Sequence, residues 1–506
     1  MIRFLARRLL TALGLLLVLS VMMYGLLSIA MDPLDDLRIS TALNKQDLIN
    51  GRIRALHLDW PWYRRYASWL YNVVQGDFGM AWRTQQHVKD ILPGAVKTSV
   101  QLVFAATVLA LLIGVTIGVI SALRQYTSFD YAITFVSFVL YSLPVFWVAV
   151  LLKQFLAIGL NDYLAKPHIM WPLAIGLSVL SGLFWAGVLG GNTRRKLITF
   201  AIGFAAALAA LLLIMGTNWI NEPQLGPLGI AIIGLAAAFG FTALFAGMHN
   251  RRALYSALTT AVVGVVTYLG LRQFFDQFEI NDGILWVLLL IALVIGAAIG
   301  FLWGGPDRGV SVRGGMLVAL IMSVAVWIDQ LMWNYPVYFS KLGGRPIPTM
   351  NTSTPNLTGD YWIMSIDKIT HLVLPTIALV MISFAGYVRY ERGAMLEVLG
   401  QDYIRTARSK GLPERVVIVR HALRNALMPL ASIVPPDFIA MIGGAVITET
   451  IFGWRGMGRM FIDGLRGSEA DPVMIYVMIT GGLAMVANLL ADLLYALLDP
   501  RIRVNA

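Results

Sequence analysis

Long apolar runs flanked by basic residues recur along this chain, and they limit its possible folds more than any other feature. The first run extends from Leu9 to Ala30 and follows Arg7 and Arg8. Its roughly 22 residues suffice to cross a bilayer, which takes about 20 in a helix. A cleaved signal peptide with a small-residue site at 28–30 is the competing interpretation, but the length of the apolar run favours a retained helix. The pattern predicts an all-α polytopic membrane protein.

Composition agrees with this class. Of the 506 residues, 58% are hydrophobic and 13% are charged, and the mean hydropathy is +0.72. A soluble domain is only about 45–50% apolar. The net charge of +11 would suggest nucleic acid in a soluble protein, but here much of it lies in connections between apolar runs, so no nucleic-acid partner is expected. Since the chain has no cysteine, disulfides and zinc-thiolate sites are excluded.

The apolar runs divide the chain into six regions. These are a first transmembrane helix (1–30), a periplasmic or extracellular subdomain (31–97), core helices 2 and 3 (98–160), an inserted transmembrane module (161–335), an outer loop (336–370) and core helices 4 to 6 (371–506) with a cytoplasmic loop at 390–425. The subdomain is interpreted as a surface for another protein or as a cap on the outer helix ends. Within helix 2, Gly114 and Gly118 form a small-x-x-x-small pattern that permits close helix packing.

The apolar runs between the core halves predict about six extra transmembrane helices. We place them near 170–190, 197–216, 226–247, 257–272, 284–304 and 316–333. Their connections alternate between basic and poorly basic, and an even number of spans returns the chain to the side it left. A charge at the bilayer centre costs about 2.5–3.5 kcal/mol, so charged residues occur there mainly where function needs them. A transport path therefore usually contains one, which can be recognised in the sequence. The inserted helices carry almost none, which predicts a peripheral module without chemistry of its own; contact with lipid or a partner protein remains open.

The densest run of positive charge lies between two apolar spans, from Arg389 to Pro429. The positive-inside rule places so basic a short loop in the cytoplasm. Within it, every fourth residue recurs in a pattern at Leu399, Tyr403, Ala407 and Gly411. This spacing places them on one slowly drifting face of a helix and predicts a short helix at about 400–411. From spacing alone, this helix either rests on anionic lipid or meets a partner protein through its small residues.

The residues of this loop favour the second interpretation, because they resemble a known family. Asp402-Tyr-Ile-Arg-Thr-Ala-Arg-Ser-Lys-Gly-Leu412, followed by Arg420-His-Ala-Leu-Arg-Asn-Ala-Leu-Met-Pro429, resembles the cytoplasmic loop of the permeases of bacterial dipeptide and oligopeptide ABC importers. In the general motif of importer permeases, Glu-Ala-Ala is followed by three further residues and then by Gly. Here Arg405-Thr406-Ala407 precede Gly411, so the first two letters differ. The regions that resemble the family, roughly 1–160 and 335–506, cover about two thirds of the chain.

The resemblance implies roles for the loop and for the partners. Contacts to ATPase subunits would come from Asp402, Tyr403, Arg405, Thr406, Ala407, Arg408, Lys410, Gly411 and Arg415, with Ala407 and Gly411 allowing close docking. The implied partners are a second homologous permease subunit, two cytoplasmic ATPase subunits that bind ATP and magnesium, an extracytoplasmic substrate-binding protein and membrane lipid. This chain itself is expected to bind no cofactor and no metal. Both termini are expected on the cytoplasmic side of the bacterial inner membrane.

Two broken helices are candidates for the translocation pathway. Ser142, Pro144 and Phe146 lie in the third core span, and Pro435 and Gly443 lie in the span after the basic loop. A proline in mid-membrane is tolerated mainly where the helix faces other helices or a wet cavity. A simple packing kink is the alternative.

The last span ends in a polar face that also resembles the family's ending. Asn488, Asp492, Tyr495 and Asp499 follow at intervals of four, three and four residues. Such groups need partners when buried, so this face is expected to pack on the cytoplasmic loop or its neighbours.

Two other function classes were weighed. The six histidines are scattered, and there is no His-Glu-x-x-His helix, Gly-x-Ser-x-Gly elbow or P-loop, so an enzyme is not expected and ATP must be bound by another chain. A twelve-helix ion-coupled transporter would show internal repeats and midplane ionisable residues, and we see neither. The prediction is therefore a permease subunit of an ATP-driven peptide importer.

Overall fold

The structure, a computed structural model, describes residues 2–41, 44–165, 170–217, 219–305 and 308–498, and it describes the side chains of 7–491 within those ranges. The helices are α1 (Ile2–Ala30), α2 (Asp35–Ile39), α3 (Lys45–Ala55), α4 (Trp62–Val74), α5 (Val88–Leu123), α6 (Ser128–Ser142), α7 (Val145–Leu151), α8 (Leu160–Ala165), α9 (Trp171–Leu189), α10 (Thr193–Gly216), α11 (Gly226–Phe241), α12 (Arg251–Gln277), α13 (Asp282–Trp303), α14 (Arg308–Lys341), α15 (Tyr361–Leu399), α16 (Asp402–Ser409), α17 (Glu414–Val416), α18 (Leu423–Phe452), α19 (Met457–Gly467) and α20 (Ala470–Leu498). Within these ranges, π-helical segments at 152–159, 242–246 and 417–422 continue α7, α11 and α17.

Over these ranges, twelve helical segments are long and apolar enough to cross a membrane. Six belong to the regions predicted as the core, and six lie between Trp171 and Lys341. The prediction of an all-α polytopic membrane protein with twelve spans is therefore confirmed. The strands that the structure describes are β1 (Met80–Ala81) and β2 (Gln86–His87), which pair antiparallel in the subdomain between α4 and α5.

The core halves pack together through α5 and α15. At Gly114 an added Cβ would lie 2.7 Å from Tyr387 Cβ, and at Gly118 it would lie 2.9 Å from Glu391 Cβ. Any larger side chain at either glycine would force the two helices apart, so the small-x-x-x-small pattern serves close packing as predicted. Buried residues of α5, α7, α15 and α18 form one apolar cluster around this contact.

Three of the six intervening spans share a buried core. Buried residues of α11, α12 and α14 make a second apolar cluster, which meets the first core region through Trp362 of α15. The hairpin of α9 and α10 packs pairwise, with the Ser181 hydroxyl donating to the Gly203 carbonyl. A cavity of about 380 Å³ lies between α12, α13 and α14, with mainly apolar walls.

Two arginines of the core regions bind the ends of these inserted helices. Arg124, just after α5, donates to the carbonyls of Val188 and Leu189 at the end of α9, at 3.1 and 2.7 Å. Arg415 of α17 donates to the carbonyl of Ala243 at the end of α11. Carbonyls at a helix C-terminus lack intrahelical donors and attract cations. These bonds place the connections 190–192 and 247–250 at the same end of the molecule as the 400–413 loop, as the alternation of basic connections predicts.

The predicted start of core helix 2 was wrong, and the third core span is broken at the proline where the sequence predicts a break. α5 begins at Val88 and not at 98, because Val88 and Leu92 extend the helix into an apolar cluster with Val473 and Met474 of α20. The third core span is not one helix: the chain is extended at Leu143 and Pro144, between α6 and α7. A residue before proline is driven out of the helical region, which explains the break.

The outer loop predicted at 336–370 is also shorter than expected. α14 continues through Pro336 to Lys341, since the Tyr338 hydroxyl beyond the proline is anchored to Asp367 and Thr370. α15 begins at Tyr361, because the Asp360 carboxylate caps the backbone N–H of Ile363 at 2.9 Å. His371 therefore lies inside α15, where it is buried and its Nδ1 lies 2.7 Å from the Asp367 carbonyl oxygen.

The subdomain between α1 and α5 is attached to the start of α20. The backbone N–H of Met80 donates to Asp471 at 3.1 Å, and that of Arg83 donates to Glu469 at 2.7 Å. Glu469 lies outside the spans, and its burial raises the pKa of the carboxyl. These bonds fix the hairpin on the end of the molecule opposite the 400–413 loop.

Asp329 of α14 joins three of the intervening helices at the end of the molecule opposite the 400–413 loop. Its buried carboxylate accepts from the backbone N–H of Leu225 at 2.6 Å, from that of Gly226 at 3.0 Å and from the Tyr268 hydroxyl at 2.6 Å. It therefore joins α14 to the start of α11 and to α12.

We predict that Asp329→Ala lowers stability by about 3 kcal/mol, because three donors lose a charged acceptor. The measurement is the thermal unfolding midpoint of the purified, detergent-solubilised chain. Asp276→Ala, at an exposed position near the end of α12, is the matched control and should leave the midpoint unchanged. Equal midpoints for the two variants would contradict the role assigned to Asp329.

Candidate coupling surface and translocation pathway

The predicted loop helix exists and is short. α16 begins at Asp402, whose carboxylate lies in the first turn, where the helix dipole favours negative charge. It ends at Ser409, two residues before the predicted end. Gly411 follows with φ +74°, a left-handed conformation that favours glycine.

The inner face of α16 is locked to the rest of the chain. Ile404 is fully buried and Ala407 is 6% exposed. Both pack in a cluster with Ala122 of α5, Met395 of α15 and residues after α17. The expectation that Ala407 opens the backbone to a partner is therefore corrected, since its methyl group faces the chain's own core in this conformation. Because of this packing, a movement of α16 would also displace the helices that share the cluster.

The outer face of α16 is polar and exposed. The predicted contact residues that lie on it or just beyond it are Asp402, Tyr403, Arg405, Thr406, Arg408 and Lys410. The side chains of Asp402 and Arg405 are 95% and 74% exposed and lie only 3.5 Å apart. So exposed a pair contributes little stability, which leaves both groups available to another surface.

Other polar groups of the loop are bound within it. Arg408 donates to both carboxylate oxygens of Glu414, at 2.6 and 3.2 Å, and closes the turn between them. This hydrogen bonding raises the pKa of the Arg408 guanidinium, which keeps its charge throughout the physiological range. The Tyr403 hydroxyl accepts from the Asn425 side chain at 2.8 Å. Arg415, also predicted as an ATPase contact, points instead to the end of α11.

An ion pair that the sequence analysis missed lies beside this loop. Arg392 of α15 donates to both oxygens of Asp130, at 2.7 and 2.8 Å, and the Ser121 hydroxyl donates to the same carboxylate. Asp130 is 2% exposed, so the bidentate pair is largely shielded from water. It ties the start of α6 and the end of α5 to α15, ten residues before α16. The signal was a lone acidic residue just after the polar turn at 124–128, which gives no partner from sequence alone.

The predicted pathway residues fall on two adjacent elements. Ser142 and Phe146 are exposed on either side of the helix break at Pro144. Pro435 is half-buried in α18, and Gly443 is exposed farther along it. α7 packs against α18, so the structure brings the break at Pro144 next to α18. The prediction of a second broken helix was wrong, because α18 continues without interruption through Pro435 and Pro436.

The sequence analysis also overlooked an ionisable residue in mid-span. Asp437 follows the Pro435-Pro436 pair near the middle of α18 and is half-exposed. The statement that midplane ionisable residues are lacking was therefore wrong for the core. The signal was present in the sequence, as a single acid within the apolar run 427–450.

The predicted polar face of α20 is only partly described. Asn488 is exposed and does not pack on the loop. The side chains of Asp492 and Tyr495, and the whole of Asp499, lie outside what the structure describes. Across the described part of the chain, no three histidine or acidic residues come together to hold a metal ion.

Comparison with known proteins places these features in a family. Residues 283–504 match the family described as binding-protein-dependent transport system inner membrane component. This match begins within α13, inside the segment predicted as an insertion, so it does not mark where an insertion would end.

Three curated relatives illustrate the similarity. The chain is 32% identical over 288 residues to the oligopeptide transport system permease protein OppB of Mycobacterium tuberculosis (strain ATCC 25618 / H37Rv), which covers 57% of this chain and 79% of that protein. It is 46% identical over 136 residues to the oligopeptide transport system permease protein AppB of Bacillus subtilis (strain 168), 27% of this chain and 43% of that protein. It is 46% identical over 138 residues to the dipeptide transport system permease protein DppB of Escherichia coli (strain K12), 27% and 41% respectively. Because it covers most of the mycobacterial relative at this identity, the chain belongs to the family of dipeptide and oligopeptide importer permeases.

Proposed function

We propose that this chain is one of two membrane subunits of an ATP-driven importer that carries dipeptides or oligopeptides across the bacterial inner membrane. The observation that carries the proposal is α16, whose inner face is fixed in the core by Ile404 and Ala407 while its outer face is polar and exposed. The names of the curated relatives, which are dipeptide and oligopeptide permeases, support the substrate class.

The partners follow from the two ends of the molecule. Two ATPase subunits, which bind ATP and magnesium, dock on the 400–413 end, and a second permease subunit completes the membrane core. A substrate-binding protein delivers peptide to the opposite end, where the 31–87 subdomain is fixed to α20. The basic residues at 389–429 support a cytoplasmic position for the α16 end, and with it for both termini.

The proposed mechanism is rigid-body transmission. Closure of the ATPase subunits moves α16, and the cluster around Ile404 passes that movement to α5, α15 and α18. The Asp130–Arg392 pair makes α6 follow α15. The break at Pro144 and the Pro435-Pro436 pair then supply the places where the core helices open and close the pathway.

We further propose that the segment between α8 and α15 is an insertion into a six-helix core. Its separate apolar cluster and the packing of α5 directly on α15 support this, because the core contacts are made across the inserted segment. The module would move with the loop, since Arg415 binds the end of α11.

The first prediction concerns the exposed face of α16. Arg405→Glu should weaken ATPase binding at least tenfold, because it places an unpaired acid where a charged contact forms. The measurement is co-purification of neighbouring-gene ATPase subunits with the tagged chain, followed by an ATPase assay.

Lys89→Glu is the matched control for this experiment. Lys89 is also an exposed cation, but it lies in the first turn of α5 at the opposite end of the molecule. It should leave ATPase binding unchanged. If the unaltered chain recovers no ATPase, or if Arg405→Glu recovers as much as Lys89→Glu, then α16 is a helix on the lipid surface and the proposed function fails.

The second prediction concerns Gly411. An added Cβ there meets no atom within 4 Å, so the left-handed φ of +74° is what favours glycine. Gly411→Ala should therefore reduce ATPase coupling through backbone strain of about 1–2 kcal/mol, whereas Gly411→Asn, which tolerates this conformation, should retain most of it. Loss of ATPase binding in both variants would show instead that a partner needs close access to the backbone.

A further inference from the structure

Asp437 lies where a carboxylate is least expected in a membrane helix. α18 has 30 residues, and Asp437 is close to its middle. At 1.5 Å per residue it is about 21 Å from either end of the helix, and a bilayer's apolar core is about 30 Å thick. Ionisable groups at such depth face a water-filled cavity or another protein surface, and they mark sites of function.

The carboxylate of Asp437 differs from the other buried or half-buried aspartates in its lack of a partner among the described residues. Among the described residues, no hydrogen-bond donor and no cation is paired with Asp437. In this respect it differs from Asp130, Asp329 and Asp367, which all accept two or more hydrogen bonds.

The helix face that carries Asp437 is open. Ala440, Gly444 and Ile447 lie three, seven and ten residues farther along on the same face, and all three are exposed. Ile442 and Ala445, on the other side of the helix, are fully buried in the core cluster. Asp437 thus lies on a face that this chain leaves uncovered.

The immediate surroundings of Asp437 are more polar than its depth suggests. Pro435 and Pro436 have no N–H to donate, so the carbonyls of Ala431 and Ser432 receive no bond from them. These two oxygens lie one turn before Asp437 on the side toward α16.

A neighbouring helix, α15, carries a polar group that lacks a hydrogen-bond partner. The Tyr387 hydroxyl of α15 is buried and has no hydrogen-bond partner among the described residues. α15 packs against α18, the helix that carries Asp437. A phenol both donates and accepts, so it can complete a site that the carboxylate begins.

We propose that Asp437, with Tyr387 on the adjacent helix α15, is a cation-recognition site of the translocation pathway. The carboxylate binds a basic side chain of the cargo through a charge-assisted hydrogen bond. The inference rests on the proposed function, because the cargo must pass between this open face and the second permease subunit. A cationic side chain of that subunit is the other source of the same chemistry.

The test uses the complete complex reconstituted in liposomes, with ATP inside and the binding protein outside. Uptake of lysyl-lysine and of alanyl-glutamate is compared for the unaltered chain, Asp437→Asn, Asp437→Glu and the exposed-site control Asp276→Asn. Asp437→Asn should lower kcat/KM for lysyl-lysine about tenfold more than for alanyl-glutamate. Asp437→Glu should restore most of the preference, and Asp276→Asn should change neither substrate.

Two results would overturn the inference while leaving the proposed function intact. If Asp437→Asn transports both dipeptides as the unaltered chain does, the residue does not recognise cargo. If it lowers both uptakes equally, the residue does not recognise a basic side chain of the cargo. Loss of pairing with the second permease subunit in size-exclusion chromatography would then assign the cation to that subunit. Absence of ATP-driven peptide uptake by the unaltered complex would instead refute the proposed function, and the cargo assignment with it.

Discussion

The close contact of α5 with α15 is the constraint on which the rest of the core depends. It requires glycine at 114 and 118, because Tyr387 and Glu391 occupy the space where side chains would project. Around it α7 and α18 complete one apolar cluster, and the Asp130–Arg392 pair fixes the same helices beside the loop. Since α16 rests on the ends of α5, α15 and α18, the exposed loop and the membrane core form one mechanical unit.

The segment between the core halves adds to this unit without interrupting it. Its helices have their own apolar cluster, and Arg124 and Arg415 bind carbonyls at the ends of two of them. Both arginines stand next to elements that the proposed mechanism moves. In the proposed mechanism these helices therefore move with the core.

Sequence patterns predicted the twelve spans, the short loop helix and the glycine packing. The length of an apolar run, the four-residue spacing in the loop and the small size of glycine are local properties, so they can be recognised without knowing the distant contacts. They failed where a distant residue decides the outcome. Ala407 was expected to meet a partner, but only the fold shows Met395 and Ala122 beneath it. α14 continues past Pro336 because Tyr338 reaches Asp367, a contact 29 residues away. Asp437 was visible in the sequence, yet its lack of a partner is known only once the surrounding helices are placed.

The absence of cysteine from the chain makes one direct measurement of the central claim simple. Thr406→Cys introduces a single thiol on the exposed face of α16, and Lys89→Cys introduces one at the opposite end. A short bifunctional thiol-to-amine cross-linker is then applied to the assembled complex in membranes, and the products are identified by mass spectrometry. The account predicts ATPase-subunit cross-links from position 406 and none from position 89. Cross-links from position 406 only to lipid, or equal ATPase cross-linking from both positions, would contradict it.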